Sequence, residues 1–176
     1  MPLAQGTIGM SAIYNGIDKI GKIYRGTELC YQSYVYNPVI ALIEKTIENV
    51  DVELTNEITK IGPYAFAYCY SLSSVTIPNS VIEIDTYAFQ NCTSLTYITI
   101  PSSVTKIYGE VFKGCEKLLE MRIEATTPPD LVDDNAISEA TTTIYVPINS
   151  VSAYQTAEEW VKLTTRETNP VTFVGY

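Results

Sequence analysis

Three consecutive segments of this chain align without a gap at a spacing of 23 residues: Ile61 to Glu83 (IGPYAFAYCYSLSSVTIPNSVIE), Ile84 to Lys106 (IDTYAFQNCTSLTYITIPSSVTK) and Ile107 to Pro129 (IYGEVFKGCEKLLEMRIEATTPP). A fixed period of this length marks a solenoid, where each repeat can bury its apolar face only against its neighbours. The stacked columns are Ile61, Ile84 and Ile107; Phe66, Phe89 and Phe112; Cys69, Cys92 and Cys115; Leu72, Leu95 and Leu118; and Ile77, Ile100 and Ile123. Each column is expected to be one position of a shared core. The same register reaches Val52 and Leu54 upstream and Ile144 and Val146 downstream, with Pro147 in the slot of Pro78 and Pro101. It therefore predicts about five rungs.

Within a rung, the alternation Val75, Thr76, Ile77 has the period of two of a strand with one buried face, and Pro78 ends it by removing a ladder donor. In Pro63 to Cys69 the apolar Ala65, Phe66 and Cys69 are spaced three to four apart after a proline suited to a first helical position, which predicts a short helix or helical turn. A strand and a short helix per rung define an α/β solenoid. Its parallel strands, about 4.8 Å apart, leave one face open.

The residues Ile61 to Val81 and Ile84 to Val104 meet the pattern I-G-x-x-A-F-x-x-C-x-x-L-x-x-[VI]-x-I-P-x-x-[VI] nearly letter for letter, with Asp85 in the place of the glycine, and the chain thereby resembles the BspA-like leucine-rich repeats. The third copy departs from the pattern at Val111 and Glu124. Tyr145, Val146 and Pro147, followed by Tyr154 and Trp160, are similar to the family's closing segment. The resemblance implies a surface or secreted protein of anaerobic bacteria or protists, with a role in adhesion and no catalysis.

A solenoid needs covers at its ends. Ser150 or Ser152 can cap a helix over about 151–163, with Val151, Tyr154, Trp160 and Val161 as its apolar stripe, and Val171 to Tyr176 reads as a final strand. The N-terminus is different. Ile13, Tyr14 and Gly16 recur as Ile23, Tyr24 and Gly26; Asn15-Gly16 and Arg25-Gly26-Thr27 are turn signals, so residues 1–36 read as a small antiparallel unit. Ile13, Tyr14, Ile23, Tyr24 and Leu29 would form its assembly surface, because so few residues cannot bury themselves. Residues 37–176 are expected to be the solenoid with its cap, Gln32 to Pro38 the connector, and Ala41 to Ile47 a cover for the first rung. The string I-Y-x-G followed by K-I-Y-x-G-x-x-L-x-Y resembles N-terminal segments of bacteriophage minor structural proteins, which implies virion partners; the unit's uncovered surface and open strand edges are expected to make the chain a homo-oligomer.

Zero histidines remove imidazole-assisted nucleophiles, His-ligated zinc and pH switching by imidazole. A net charge of −9 argues against nucleic acid, and no run approaches the ~18 apolar residues of a membrane helix. Met1 to Met10 carries no basic, apolar signal, so the reading is of a native start without that export route. No Cys-x-x-Cys pair occurs, and the cysteine column reads as small, unreactive core filler. Asp130, Asp133 and Asp134 read as a solvated loop, and no carboxylate pair has a defensible catalytic spacing. No cofactor and no metal are expected. What remains is the open strand face, with Asp51, Ser74, Tyr97, Glu120 and Thr143 in one column and Glu53, Thr76, Thr99, Arg122 and Tyr145 in the next. Tyr97, Arg122 and Tyr145, with Glu120, Thr99 and Thr76, are the expected contacts to a host-surface glycan or protein, because Tyr and Arg dominate binding hot spots. The expected function is a non-enzymatic phage virion accessory protein displaying the repeat; the alternative is a bacterial cell-surface adhesion protein.

Overall fold

The computed structural model describes residues 58–176, with Leu54, Asn56 and the backbones of four strands before them: β1 (Ile8–Gly9), β2 (Tyr24–Arg25), β3 (Glu28–Leu29) and β4 (Val50–Glu53). The strands that follow are β5 (Lys60–Ile61), β6 (Leu72–Thr76), β7 (Glu83–Ile84), β8 (Tyr97–Ile100), β9 (Lys106–Ile107), β10 (Glu120–Ile123), β11 (Asp130–Leu131), β12 (Thr143–Val146) and β13 (Thr172–Gly175). They form two sheets, one in the order β1-β4-β6-β8-β10-β12-β13 and one in the order β11-β9-β7-β5-β3-β2. The first is parallel throughout, and its pairs Val52 with Val75, Ile98 with Met121 and Met121 with Ile144 sit 23 residues apart. Four such turns separate the five strands expected from the period.

The columns close the core. Ile61, Ile84, Phe89, Cys92, Leu95, Ile100, Phe112, Cys115, Leu118 and Ile123 are all fully buried, and the rings of Phe66, Phe89 and Phe112 stack with centroids 5.1 and 5.4 Å apart. The second sheet carries a line of alternating charge along its register, Lys60, Glu83, Lys106 and Asp130. Lys60 pairs with Glu83 at 3.3 Å and Asp85 at 2.9 Å, and Lys106 with Asp130 at 3.4 Å. Burial pushes the Asp85 carboxyl up, but the Lys60 ammonium and the Thr86 amide outweigh it and hold the group below the usual range.

Two expectations are corrected. The Pro63 to Cys69 segment is a run of turns rather than a helix. Alternate amides bond outside the segment: Tyr64, Phe66 and Tyr68 donate to the carbonyls of Thr86, Ala88 and Gln90 in the next rung, while Ala65, Ala67 and Cys69 close local turns three residues back. An α-helix needs every amide for its own ladder, so this sharing excludes it. The capping helix over 151–163 is two short helices, α1 (Val151–Thr156) and α2 (Glu158–Thr164), separated where Ala157 turns extended with φ −67 and ψ 135. A 3-10 turn over Ile148–Ser150 leads in, and Ser150 makes no side-chain cap bond.

The cap is held from within. Tyr154 donates to the carbonyl of Ala125 at 2.9 Å and the Trp160 indole to that of Pro129 at 2.8 Å, and both rings pack on Phe173. Arg166 then spans back to the carbonyls of Asp134, Ile137 and Ser138 at 2.5, 3.0 and 3.1 Å. At the other end Tyr24 pairs antiparallel with Leu29, across the turn expected at 25–27, while β3 pairs with β5 and β1 with β4. Ile13, Tyr14 and Ile23, the Asn15-Gly16 turn, the connector 32–38 and the segment 41–47 lie outside the described residues.

A candidate binding face on the parallel sheet

The strands that bury Ile98, Ile100, Met121, Ile123, Ile144 and Val146 must turn the residues between them to solvent. Register then sets their neighbours. Glu120 stands between Tyr97 and Thr143, Arg122 between Thr99 and Tyr145, and Thr76 beside Thr99. All six expected residues thus share one face, spread over four strands and, at about 4.8 Å per strand, roughly 14 Å. Tyr97, Glu120 and Thr76 are exposed; Thr99, Arg122 and Tyr145 are half-buried.

Two more residues join them. β13 continues the sheet beyond β12, with Thr172 beside Thr143 and Val174 beside Tyr145, and places the exposed Tyr176 at the same edge. The Arg122 guanidinium carbon lies 3.5 Å from the centroid of the Tyr176 ring, a stacked cation–π contact. Glu124, in the slot of Pro101, puts a carboxylate oxygen 3.9 Å from Arg122 Nε, too far for a hydrogen bond. Glu124 was open to sequence reasoning as the missing proline. Tyr176 was not: β12 and β13 are 29 residues apart, because the cap interrupts the period.

The rest of the surface is of another kind. The thiols of Cys92 and Cys115 are buried and donate to the carbonyls of Phe66 and Phe89 at 3.1 Å, so the cysteine column links rungs as well as filling space. Burial pushes the Cys92 thiol well above its ordinary value, with Cys115 adding to the shift. Asp134 opens a 3-10 turn, and among the described residues no group of three metal-ligating side chains assembles. On the turn side of the rungs, Tyr64 and Tyr87 stack at 4.7 Å and the exposed Tyr68 and Tyr70 meet edge to face. Tyr64, Tyr68 and Tyr87 hold left-handed φ values of 57, 64 and 61, a conformation that nothing in a tyrosine announces.

A family model described as the BspA type leucine rich repeat region matches residues 43–153 in six copies. Among solved structures, a leucine rich cell surface protein from Faecalibacterium prausnitzii A2-165 is similar at 23% identity and a TM-score of 0.37, over 69% of this chain. The match spans 40% of that protein's own length. No curated protein sequence matches the chain.

Proposed function

This chain belongs to the BspA type leucine rich repeat family, and from that premise we propose that it is a non-enzymatic binding module of a bacterial cell surface, engaging its partner through the open face of the seven-stranded sheet. One observation carries the reading: Tyr97, Arg122 and Tyr145, spaced along the sequence, stand on neighbouring strands of a single solvent-facing surface with Glu120, Thr99 and Thr76. Rigid strands hold these side chains at fixed separations, and preorganisation lowers the entropy cost of docking. The surface-protein character of the family supports adhesion as the role and the cell surface as the location. The comparisons lend no support to a virion role, which leaves it resting on the I-Y-x-G string of residues 1–36.

For those residues we retain an attachment role. Their strands lie at one end of both sheets, where they offer backbone edges to a second copy or another surface protein. Sedimentation of the full chain as an oligomer is the expected result.

The face is tested by replacing Tyr97, Arg122 and Tyr145 together by Ala and measuring attachment to intact cells and to immobilised surface glycans and proteins. Attachment is expected to disappear while the circular dichroism spectrum and melting temperature hold. Undiminished attachment by a folded triple variant removes this face from the function.

A further inference from the structure

We infer that the ligand of this face is an uncharged glycan chain, anchored where Arg122 lies on Tyr176 beside Tyr145; the inference rests on the reading of the face as the binding surface. The starting observation is that Arg122 has hydrogen bonds to give and gives none among the described residues. Its Nε is buried without a partner, Glu124 stops at 3.9 Å, and the side chain is still 38% exposed. Arg166 shows what an arginine does when it serves only the fold: its guanidinium donates to three carbonyls. An outside ligand cannot reach the buried Nε, but the terminal N–H groups, on the exposed part of the side chain, donate to no described residue and present a fork to an acceptor from outside. Stacking on Tyr176 holds the guanidinium plane in place and keeps its fork rigid.

Charge selects the class of ligand. Glu120 is next to the Tyr97 position and Glu124 next to Arg122, giving two carboxylates for one guanidinium on a chain of net charge −9. A polyuronate or another acidic polymer would meet net repulsion here. A basic side chain reaching Glu124 would sit against the Arg122 cation, a like-charge contact at short range. A neutral polyol has neither difficulty. Its hydroxyls accept from Arg122 and donate to Glu120 and Glu124, and its apolar ring faces pack on tyrosine. The hydroxyls of Thr143, Thr99 and Thr76 continue the polar line across adjacent strands, which fits a chain of several sugars better than a single one.

The test is affinity electrophoresis of the full chain through gels containing dextran, mannan or galactomannan, with alginate as the acidic counterpart and a gelatin coat as the protein one. Retardation is expected from at least one neutral polysaccharide, with little change between about 50 and about 500 mM salt, since no net charge is being paired. Arg122→Ala and Tyr176→Ala should each weaken it about ten-fold or more, while Tyr176→Phe keeps the ring and the affinity. Melting temperatures of these variants should match the parent, which separates lost contact from lost fold. Retardation by none of the neutral gels, or preferential binding to alginate or gelatin, overturns the sugar assignment. If the Tyr97, Arg122 and Tyr145 triple variant still loses cell attachment, the face itself survives that outcome; if it attaches normally, both fall.

Discussion

Phe89 and Phe112 lie face to face across consecutive rungs, their planes within 6° and their centroids 5.4 Å apart. Phe66 stacks on the other side of Phe89 at 5.1 Å, so the central ring has an aromatic neighbour on both faces. Removing it opens a cavity that rigid parallel strands cannot collapse. Phe89→Ala is expected to cost about 3 to 5 kcal/mol, and Thr99→Ala on the open face less than about 0.5 kcal/mol. Denaturant titrations of the two variants check the contrast, and equal midpoints would contradict the register.

The left-handed positions repeat with the rungs. Tyr68, Asn91 and Gly114 occupy the same slot at φ 64, 56 and 72. Asparagine and glycine tolerate that region, and a bulky aromatic does not. Tyr68→Asn should therefore stabilise the fold by about 0.5 to 1 kcal/mol, since relief of the strained φ outweighs the loss of an exposed contact with Tyr70. Gly114→Ala should do the reverse and cost more than about 1 kcal/mol, because its new Cβ would meet the Asn91 side chain as well as the strained φ. Thermal melts that rise for the first and fall for the second are the expected outcome.

The thiol column should be silent in the native protein. Cys69, Cys92 and Cys115 are buried, and the Cys92 thiol is held protonated by burial. Maleimide at about pH 8 should leave all three unmodified until denaturant is added. Because the folded Cys92 value lies above the unfolded one of 9.0, its contribution to stability is intact below that pH. It is lost as the solution is raised through the folded value. Cys92→Ala should flatten that alkaline loss.

The Arg166 clamp joins the cap to the loop after β11. Burial lowers the affinity of its guanidinium for the proton, and the three carbonyls are its compensation. Arg166→Ala should destabilise the chain by about 2 to 3 kcal/mol, since the Asp134 and Ile137 carbonyls lose the guanidinium as donor, while that of Ser138 keeps the Thr141 amide. In that variant Trp160 fluorescence, reporting on the cap, should shift at lower denaturant than circular dichroism does, because the cap opens before the rungs.

Acid should act through Asp85. Its carboxyl is held low in the folded chain, so the stability it contributes is present above the unfolded value near 3.8 and is lost as pH falls through the folded one. Asp85→Asn is expected to remove part of the pH dependence of the melting temperature below about pH 4, and an unchanged acid limb would show the pair with Lys60 to be inert.

The sequence by itself determined whatever follows from two periods, the residue alternation of a strand and the 23-residue rung: the parallel order, the buried columns, and the shared face of Tyr97, Arg122 and Tyr145. Those are translational facts, and a repeat in one dimension becomes a stack in three with little freedom left. The helical half of each rung escaped that reading because spacing of three to four describes turns as well as helices. Only the competition for amides between the local turn and the next rung decides, and that competition needs the neighbour in place. The stacking of Arg122 on Tyr176, the break at Ala157 and the Arg166 clamp belong wholly to the tertiary structure. Each depends on how the cap folds back over an apolar rung end, a rotation and offset that no period encodes.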